Sequence, residues 1–200
     1  STGMPKAVVN THRMLTCNQV MIAHALAFLQ DEPPVMVDWL PWNHTAGGNH
    51  NFGIVLHNGG TLYIDDGAPT PGAIAKTVRN LEEIAPTIYF NVPKGYEMLC
   101  EHLETNARLR ELFFSRVNLL QYAGAGLSQH VWDSLERLAM SATGEKIMII
   151  TGYGSTETAP FAFTTTWAVA NPGEVGLPAP GLEVKLVPDG EKLELRLRGP

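Results

Sequence analysis

Residues 152–157 place a ring, hydroxyls and a carboxylate within one short run, Gly-Tyr-Gly-Ser-Thr-Glu, directly after the strand-like segment 146–151. Glycines permit the positive φ angles and the close backbone approach that a ligand-cradling turn needs. The ring of Tyr153 can stack on a nucleobase, a contact typically worth roughly 1–3 kcal/mol. Partly burying the Glu157 carboxylate beneath a sheet edge is costly unless a cation compensates it, and Mg²⁺ carried by a nucleotide triphosphate would do so. The run therefore predicts nucleotide and magnesium chemistry.

The same run also admits a structural interpretation. A turn of this composition can close a βα unit, with Thr156 as the N-cap of the next helix and Glu157 favoured by the helix dipole. Two other motifs do not fit. The serine is one place late for a Gly-x-Ser-x-Gly nucleophile elbow. Residues 124–126, Gly-Ala-Gly, lack the third glycine of a dinucleotide fingerprint.

Three histidines raise the question of a metal site. His44, His50 and His57 are spaced six and seven apart, which matches no His-x-x-x-His metal helix, so zinc is not expected. His44 follows Trp42 in an aromatic segment after a predicted strand and is a candidate ligand contact. A histidine satisfied within the core or a loop is the alternative.

The elements that must position these residues alternate between strand and helix patterns. We predict strands at residues 6–10, 35–40, 61–64, 87–91, 118–122 and 146–151. We predict helices at residues 14–28, 48–56, 71–85, 92–104, 107–114 and 129–142, the last of them capped by Ser128. This alternation predicts an α/β fold with a mostly parallel sheet flanked by helices. Segments 42–48, 123–128 and 152–157 each follow a predicted strand, so they should converge on one cleft.

The amino-acid composition of the chain changes near residue 173. Gly and Pro become frequent, and segments 184–187 and 194–197 then alternate around an Asp189-Gly190 turn, which predicts an antiparallel hairpin. We therefore predict an α/β core over residues 1–172 and the beginning of a small antiparallel β subdomain over residues 173–200.

Six segments, in order along the whole chain, resemble those of the AMP-forming acyl-adenylating superfamily, which includes acyl-CoA synthetases, peptide-synthetase adenylation domains and luciferases. They are residues 1–6, 38–48, 123–128, 152–157, 173–181 and 193–200. The first, Ser-Thr-Gly-Met-Pro-Lys, is similar to the tail of a Ser/Thr/Gly-rich phosphate loop and is not a Walker loop. The sequence of two segments, residues 38–51 and 58–65, is most similar to that of the feruloyl-CoA synthase branch.

The resemblance implies roles for the matched residues. Lys6, Thr156 and Glu157 would be catalytic, with Thr156 contacting the α-phosphate and Glu157 holding Mg²⁺, while Tyr153 would stack on adenine. The β and γ phosphates would lie against Thr2, Gly3 and Lys6. The implied nucleotide site is completed by Gly124, Ala125, Gly126, Gly152, Gly154 and Ser155. The implied acyl pocket consists of Trp42, His44, Gly124 and Ala159.

The activity that the resemblance implies is that of an ATP-dependent acid–thiol ligase. The acid would form an acyl-AMP, and CoA would then displace AMP to give a thioester, with ATP, Mg²⁺ and CoA required. Aromatic side chains at Trp42, Tyr122 or Phe161 would suit ferulate or a related hydroxycinnamate, as in phenylpropanoid degradation. The same residues could line a fatty or amino acid pocket, so a fatty-acyl-CoA synthetase stays open. A non-catalytic nucleotide-binding relative and an oxygen-dependent relative are further alternatives.

Composition excludes several other classes. The net charge is −6 and the 14 Lys and Arg are scattered, so no nucleic-acid surface is expected. Cys17 and Cys100 form no Cys-x-x-Cys pair, which favours reduced thiols in the cytoplasm. No apolar run is long enough for a membrane span. The chain has 200 residues and lacks the superfamily's C-terminal lid, so we expect a central fragment that is inactive by itself. The oligomeric state and the acid stay open.

Overall fold

The structure of the protein, a computed structural model, describes residue 4 and residues 7–169 and 172–200. Its strands are β1 (Val35–Asp38), β2 (Thr61–Ile64), β3 (Ile88–Asn91), β4 (Leu119–Tyr122), β5 (Met148–Gly154), β6 (Phe161–Thr164), β7 (Leu177–Pro178), β8 (Glu183–Asp189) and β9 (Lys192–Arg198). Its α-helices are α1 (His12–Ala25), α2 (Phe52–His57), α3 (Ile74–Leu81), α4 (Pro93–Thr105), α5 (Ala107–Phe114) and α6 (Gln129–Thr143). A π-helical turn, Ala46–Asn51, runs into α2, and 3₁₀ turns occupy Ala27–Gln30 and Thr156–Thr158.

The main sheet has the strand order β3-β4-β5-β6-β7. Strands β3, β4 and β5 are parallel, whereas β6 and β7 join in antiparallel fashion. The parallel pair of β1 and β2 adjoins β3, because the Thr87 N–H donates to the Val35 carbonyl over 2.9 Å. Strands β8 and β9 form a separate antiparallel hairpin. The predicted α/β class, a parallel-rich sheet with helices and a small antiparallel unit, is confirmed.

Side-chain caps begin three of the described α-helices. The Asn106 Oδ1 accepts from the Leu109 N–H over 3.0 Å at the start of α5. The Thr11 hydroxyl accepts from the Met14 N–H at the start of α1, and the Ser128 hydroxyl accepts from the Val131 N–H at the start of α6. Gly144 ends α6 with a φ of 77°, a left-handed conformation that glycine adopts without a Cβ clash. The hydrogen bond from the Val131 N–H confirms the predicted Ser128 cap.

The main sheet is buried on both faces. Adjacent residues Leu119 and Leu120 are both 0% exposed but pack into different cores, since successive strand side chains point to opposite faces. One core joins the sheet to α4, α5 and α6 through residues such as Leu103 and Leu135. The other joins it to α1 and α2 through residues such as Ile22 and Ile54. Burial on both faces explains why the strands read as continuous apolar runs.

Three predictions about the elements were wrong. Residues 7–10 are irregular rather than a strand, and Val9 is 81% exposed, so no apolar face is buried there. Strand β5 continues through Gly152–Gly154, where a turn was expected, because these residues pair with β6. Strand β6 itself was missed. The predicted boundary at residue 172 stays a prediction, although β7, which lies beyond it, pairs with β6 in the main sheet.

None of the helices in the described part of the chain has the length and hydrophobicity that crossing a bilayer requires.

Candidate functional site

A cleft of about 600 Å³ opens beyond the carboxyl ends of the parallel strands. Its walls come from residues that follow β1, β3, β4 and β5. Segments 42–48, 123–128 and 152–157 all contribute to it, as the sequence predicted. The lining residues used below are Trp39, His44, His50, Phe90, Gln121, Gly124, Gly152, Tyr153, Gly154, Ser155, Thr156, Glu157, Phe161 and Phe163.

Strands β5 and β6 form one wall, and two glycines let them approach closely. A Cβ on Gly152 would lie 2.1 Å from the Phe163 carbonyl oxygen, and one on Gly154 would lie 2.0 Å from the Pro160 carbonyl oxygen. Neither glycine has a positive φ, so that part of the expectation was wrong. They are required by strand packing. Tyr153, between them, is 43% exposed and packs edge-on against Phe163.

A short turn follows β5 and carries the polar side chains. Ser155 caps it, because its N–H donates to the Thr158 Oγ1 over 2.9 Å and the Thr158 N–H donates to the Ser155 carbonyl over 3.0 Å. The turn is only three residues long, so Thr156 does not cap a longer helix. Thr156 and Glu157 are both exposed and line the cleft. The expectation that the Glu157 carboxylate is partly buried was wrong.

Asn18, on α1, holds the far side of this turn. Its Nδ2 donates to the Phe161 carbonyl over 2.8 Å and to the Thr158 carbonyl over 3.1 Å. Its Oδ1 accepts from the Phe161 N–H over 3.1 Å. Asn18 is only 3% exposed, so these bonds are shielded from water. The position of Thr156 and Glu157 therefore depends on α1.

The opposite wall follows β1 and contains His44. Its Nδ1 accepts from the Ala46 N–H over 3.2 Å, which orients the ring within the wall. Trp42 is 53% exposed, packs on Phe52 with ring centroids 5.4 Å apart, and is not among the cleft-lining residues. Ala159 is buried behind the wall.

The remaining sequence-predicted site residues divide into three groups. The cleft is lined by Gly124, Gly152, Tyr153, Gly154, Ser155, Thr156 and Glu157. Ala125 and Gly126 do not line it. Thr2, Gly3 and Lys6 lie outside the described residues, so their phosphate contacts stay predictions. Of the aromatic residues expected to face an acid, Phe161 lines the cleft, whereas Tyr122 is buried against Trp132.

Sequence reasoning missed the floor of the cleft. His50 is 4% exposed, its ring lies 5.3 Å from that of Phe90, and burial lowers its pKa. Gln121, also 4% exposed, lies on β4 opposite Phe90 on β3. A polar residue inside the apolar strand Leu-Leu-Gln-Tyr was the signal that could have revealed Gln121. His50 was considered only for its spacing from other histidines.

Asp38, at the end of β1, is a buried carboxyl behind this floor. Burial raises its pKa to about 6, opposed by the Leu40 N–H, which donates to its Oδ1 over 3.1 Å, and by the Asn51 side chain. Among the residues that the structure describes, neither the Asp38 Oδ2 nor the Asn51 Nδ2 has a hydrogen-bond partner.

The sequence implies a divalent metal at the cleft. Within residues 7–169 and 172–200, no group of three His, Cys, Asp or Glu is arranged to hold a metal ion. Mg²⁺ in nucleotide sites is usually held by one or two carboxylates, substrate phosphates and water. The single exposed carboxylate of Glu157 beside the Thr156 hydroxyl fits that mode of binding.

The chain matches the family of AMP-binding enzymes over residues 1–200 and belongs to that family. It is 30% identical over 209 residues to a feruloyl-CoA synthase of Amycolatopsis sp, covering 100% of this chain and 39% of the relative. It is 27% identical over 210 residues to a long-chain-fatty-acid–CoA ligase of Escherichia coli O157:H7, covering 100% of this chain and 35% of that ligase.

A solved structure shares the fold. A malonyl-CoA ligase, in a ternary product complex with methylmalonyl-CoA and AMP, superimposes with a TM-score of 0.75 at 29% identity, over 99% of this chain and 41% of that one. The chain thus spans well under half the length of these relatives.

Proposed function

We propose that the protein carrying this chain is an acyl-CoA ligase that activates an aromatic carboxylic acid, ferulate or a related hydroxycinnamate, through an acyl-AMP. The observation that carries the proposal is the cleft itself. It joins Tyr153, Thr156 and Glu157 to a wall and floor of aromatic residues, Trp39, Phe90, Phe161 and Phe163. Aromatic rings favour a planar acid by offset or edge-to-face packing.

The lining also argues against some acids that relatives use. Among the described residues, no Lys or Arg lines the cleft. A second carboxylate, such as that of malonate, would therefore be desolvated without a cation to compensate it. A purely aliphatic chain would offer no hydrogen bond to His50 at the floor, which costs free energy. A fatty-acyl ligase is accordingly the second candidate, supported by 27% identity to a long-chain ligase.

The proposed reaction has two displacements. An oxygen of the acid attacks the α-phosphorus of ATP, the bond from that phosphorus to the bridging oxygen breaks, and pyrophosphate leaves. The CoA sulfur, having lost its proton, then attacks the acyl carbon, and AMP leaves with the carboxyl oxygen. Bound Mg²⁺ would neutralise phosphate charge. Catalysis then rests on positioning and charge stabilisation.

Each wall has a part in this scheme. Tyr153 would offer its exposed ring to adenine, Thr156 would hydrogen-bond the α-phosphate, and Glu157 would hold the metal. His44 and Gly124 would border the acyl group where it meets the nucleotide. Lys6, Thr2 and Gly3 are proposed to hold the β and γ phosphates. A cytoplasmic location and a place in phenylpropanoid degradation belong to the same proposal.

ATP–pyrophosphate exchange by the enzyme carrying this chain tests the proposal, with ferulate, 4-coumarate, benzoate and a medium-chain fatty acid. Exchange that is selective for the hydroxycinnamates supports both the activation step and the substrate class. Selective exchange with the fatty acid would favour the second candidate. Absence of exchange with every acid would contradict the ligase activity.

A further inference from the structure

Helix α1 and the residues that lead into it are hydrogen-bonded to two opposite walls of the cleft. On one side, the Asn10 Nδ2 donates to the Thr156 carbonyl over 2.9 Å, in the turn that follows β5. On the other side, the Gln19 Nε2 donates to the Asn49 carbonyl over 2.9 Å, in the π-helical turn that follows β1. Asn18, next to Gln19, also binds the turn after β5. This part of the chain therefore braces both walls at once.

Asn10 also joins the two walls directly. Its Oδ1 accepts from the Asn49 Nδ2 over 3.4 Å, and the same Asn49 Nδ2 donates to the Thr45 Oγ1 over 3.1 Å. A backbone carbonyl such as that of Thr156 only accepts hydrogen bonds, so it fixes which way the Asn10 amide faces. The Asn10 Oδ1 is then turned to Asn49, whose two amide hydrogens are both used. One continuous bridge thus runs from Thr156 through Asn10 and Asn49 to Thr45.

The two ends of the bridge line the cleft, whereas its middle does not. Thr45 and Thr156 are cleft-lining residues on opposite walls, and Asn10 and Asn49 lie outside the lining. Both asparagines are half-buried, so water competes only partly for their hydrogen bonds. The bond between them, at 3.4 Å, is longer than the roughly 2.7–3.2 Å that is usual between nitrogen and oxygen. It is therefore the link that can shorten when the walls close on a ligand.

We propose that Asn10 and Asn49 couple the binding of the acid to the binding of the nucleotide. This inference rests on the proposed function, in which Thr156 contacts the α-phosphate and the acid lies against the wall after β1. A ligand that fixes either wall also fixes the bridge, so the second ligand meets a wall that is already in place. The reaction benefits because the carboxylate and the α-phosphorus must meet in one geometry. Asn10 and Asn49 are positioning residues, since they act through Thr156 and Thr45.

Calorimetric titration of the complete enzyme tests the coupling. The ligands are ferulate and the magnesium complex of an ATP analogue with CH₂ between its α and β phosphorus atoms, which blocks adenylation. We expect the analogue to lower the Kd for ferulate by about fivefold or more, a common size for such coupling. Ferulate should lower the Kd for the analogue by the same factor, because coupling is reciprocal. In Asn10→Ala and in Asn49→Ala this coupling factor should fall below about twofold.

The double variant separates one bridge from two independent structural effects. If Asn10 and Asn49 act through the same bridge, the second substitution should lower the coupling factor no further. Asn58→Ala is the matched control, because the Asn58 Nδ2 donates only to the Ile54 carbonyl of its own helix. The coupling factor of this control should equal that of the unmodified enzyme.

Two results would overturn this inference alone. One is a coupling factor near one in an unmodified enzyme that binds both ligands. The other is an unchanged factor in Asn10→Ala and Asn49→Ala, even where both ligands bind more weakly, since that would show a role in the fold only. Absence of both binding and pyrophosphate exchange with ferulate would instead contradict the proposed function.

Discussion

Glu157 is the residue whose proposed role is easiest to isolate, because its side chain is exposed and free of intramolecular hydrogen bonds among the described residues. Glu157→Gln keeps the size of the side chain and removes its charge. We expect pyrophosphate exchange to fall at least a hundredfold, since a metal-bound phosphate would lose a ligand. The free energy of unfolding should change by less than about 0.5 kcal/mol, as is usual at exposed sites.

Glu174→Gln, at an exposed position outside the cleft, is the control for Glu157→Gln. A titration with Mg²⁺ separates weakened metal binding from lost catalysis. Exchange that is undiminished at saturating Mg²⁺ would contradict the metal role.

Asp38 makes stability depend on pH. Its pKa is raised to about 6 from 3.8, so the folded protein keeps a proton that the unfolded chain releases between these values. Stability should therefore decline as pH rises from about 4 to about 6, by on the order of 3 kcal/mol in total. Asp38→Asn removes this charge. We expect the variant to exceed the unmodified protein in unfolding free energy at pH 8, with a smaller difference at pH 4.5, measured by urea unfolding.

Asp66 provides a comparison, because its pKa is shifted in the opposite direction from that of Asp38. A hydrogen bond from Lys76 lowers the pKa of this exposed carboxyl. Its contribution to stability is present at neutral pH and is lost as pH falls through its folded pKa. Asp66→Asn should therefore give no gain at pH 8. A gain there equal to that of Asp38→Asn would show that burial of Asp38 is not the cause.

At the scale of elements, the contact between β5 and β6 depends on glycine. Gly152→Ala would force the Phe163 carbonyl and the new Cβ apart, because their separation would otherwise be 2.1 Å. We expect a loss of about 1–3 kcal/mol in unfolding free energy, or more where the strands separate. Tyr153 should become more mobile, which fluorescence anisotropy of a bound adenine nucleotide analogue would detect.

Gly126→Ala is the matched control for this substitution. No heavy atom lies within 4 Å of a Cβ at Gly126, and its φ is not positive. Its unfolding free energy should stay within about 0.5 kcal/mol of that of the unmodified protein. Equal losses at both glycines would contradict the packing explanation.

Asn18 links α1 to the turn that carries Thr156 and Glu157. Asn18→Ala would leave the Phe161 N–H and two carbonyls without their present partner. We expect a loss of about 2–4 kcal/mol in unfolding free energy, since each buried unpaired group costs about 1–3 kcal/mol. Asn58→Ala, which removes one bond to the Ile54 carbonyl, should lose less. Equal effects of the two variants would contradict the proposed positioning by Asn18.

Local patterns predicted the elements that are held by local forces. The Ser128 cap and the 107–114 helix follow from neighbouring residues, and the structure places them as expected. Strand β6 was missed because Phe161–Thr164 is short and follows Pro160. The role of Gly152 was misjudged because only the pairing of β5 with β6 reveals why a Cβ is excluded.

In the candidate site, too, residues within a local motif were predicted, whereas residues brought together by the fold were not. The residues after β5 were predicted from an unusual local run, and they line the cleft. The floor was not predicted, because His50 and Gln121 acquire their surroundings only when β3, β4 and the π-helical turn assemble. The family resemblance placed Trp42 in the acyl pocket, but its ring packs on Phe52 and does not line the cleft.

At the scale of the whole molecule, stability should be uneven. Strand β4 lies between β3 and β5 and contributes to both cores, whereas β8 and β9 form a two-stranded hairpin with exposed apolar residues such as Leu186 and Leu193. Isolated hairpins are marginally stable. In native-state hydrogen exchange of the 200-residue chain, amides of β4 should exchange only by global unfolding, and those of β8 and β9 by local opening. Equal protection of both regions would contradict this.

The two asparagines that hold the turn after β5 are separated from their partners by 146 and 143 residues. A nascent chain therefore makes Asn10 and Asn18 early but can use them only after almost the whole sheet has been synthesised. Closing so long a loop is slow, so this turn should be among the last parts of the molecule to take its shape. A nucleotide that binds there would stabilise only molecules in which α1 has already docked, so it would favour correctly folded chains at the last stage of folding.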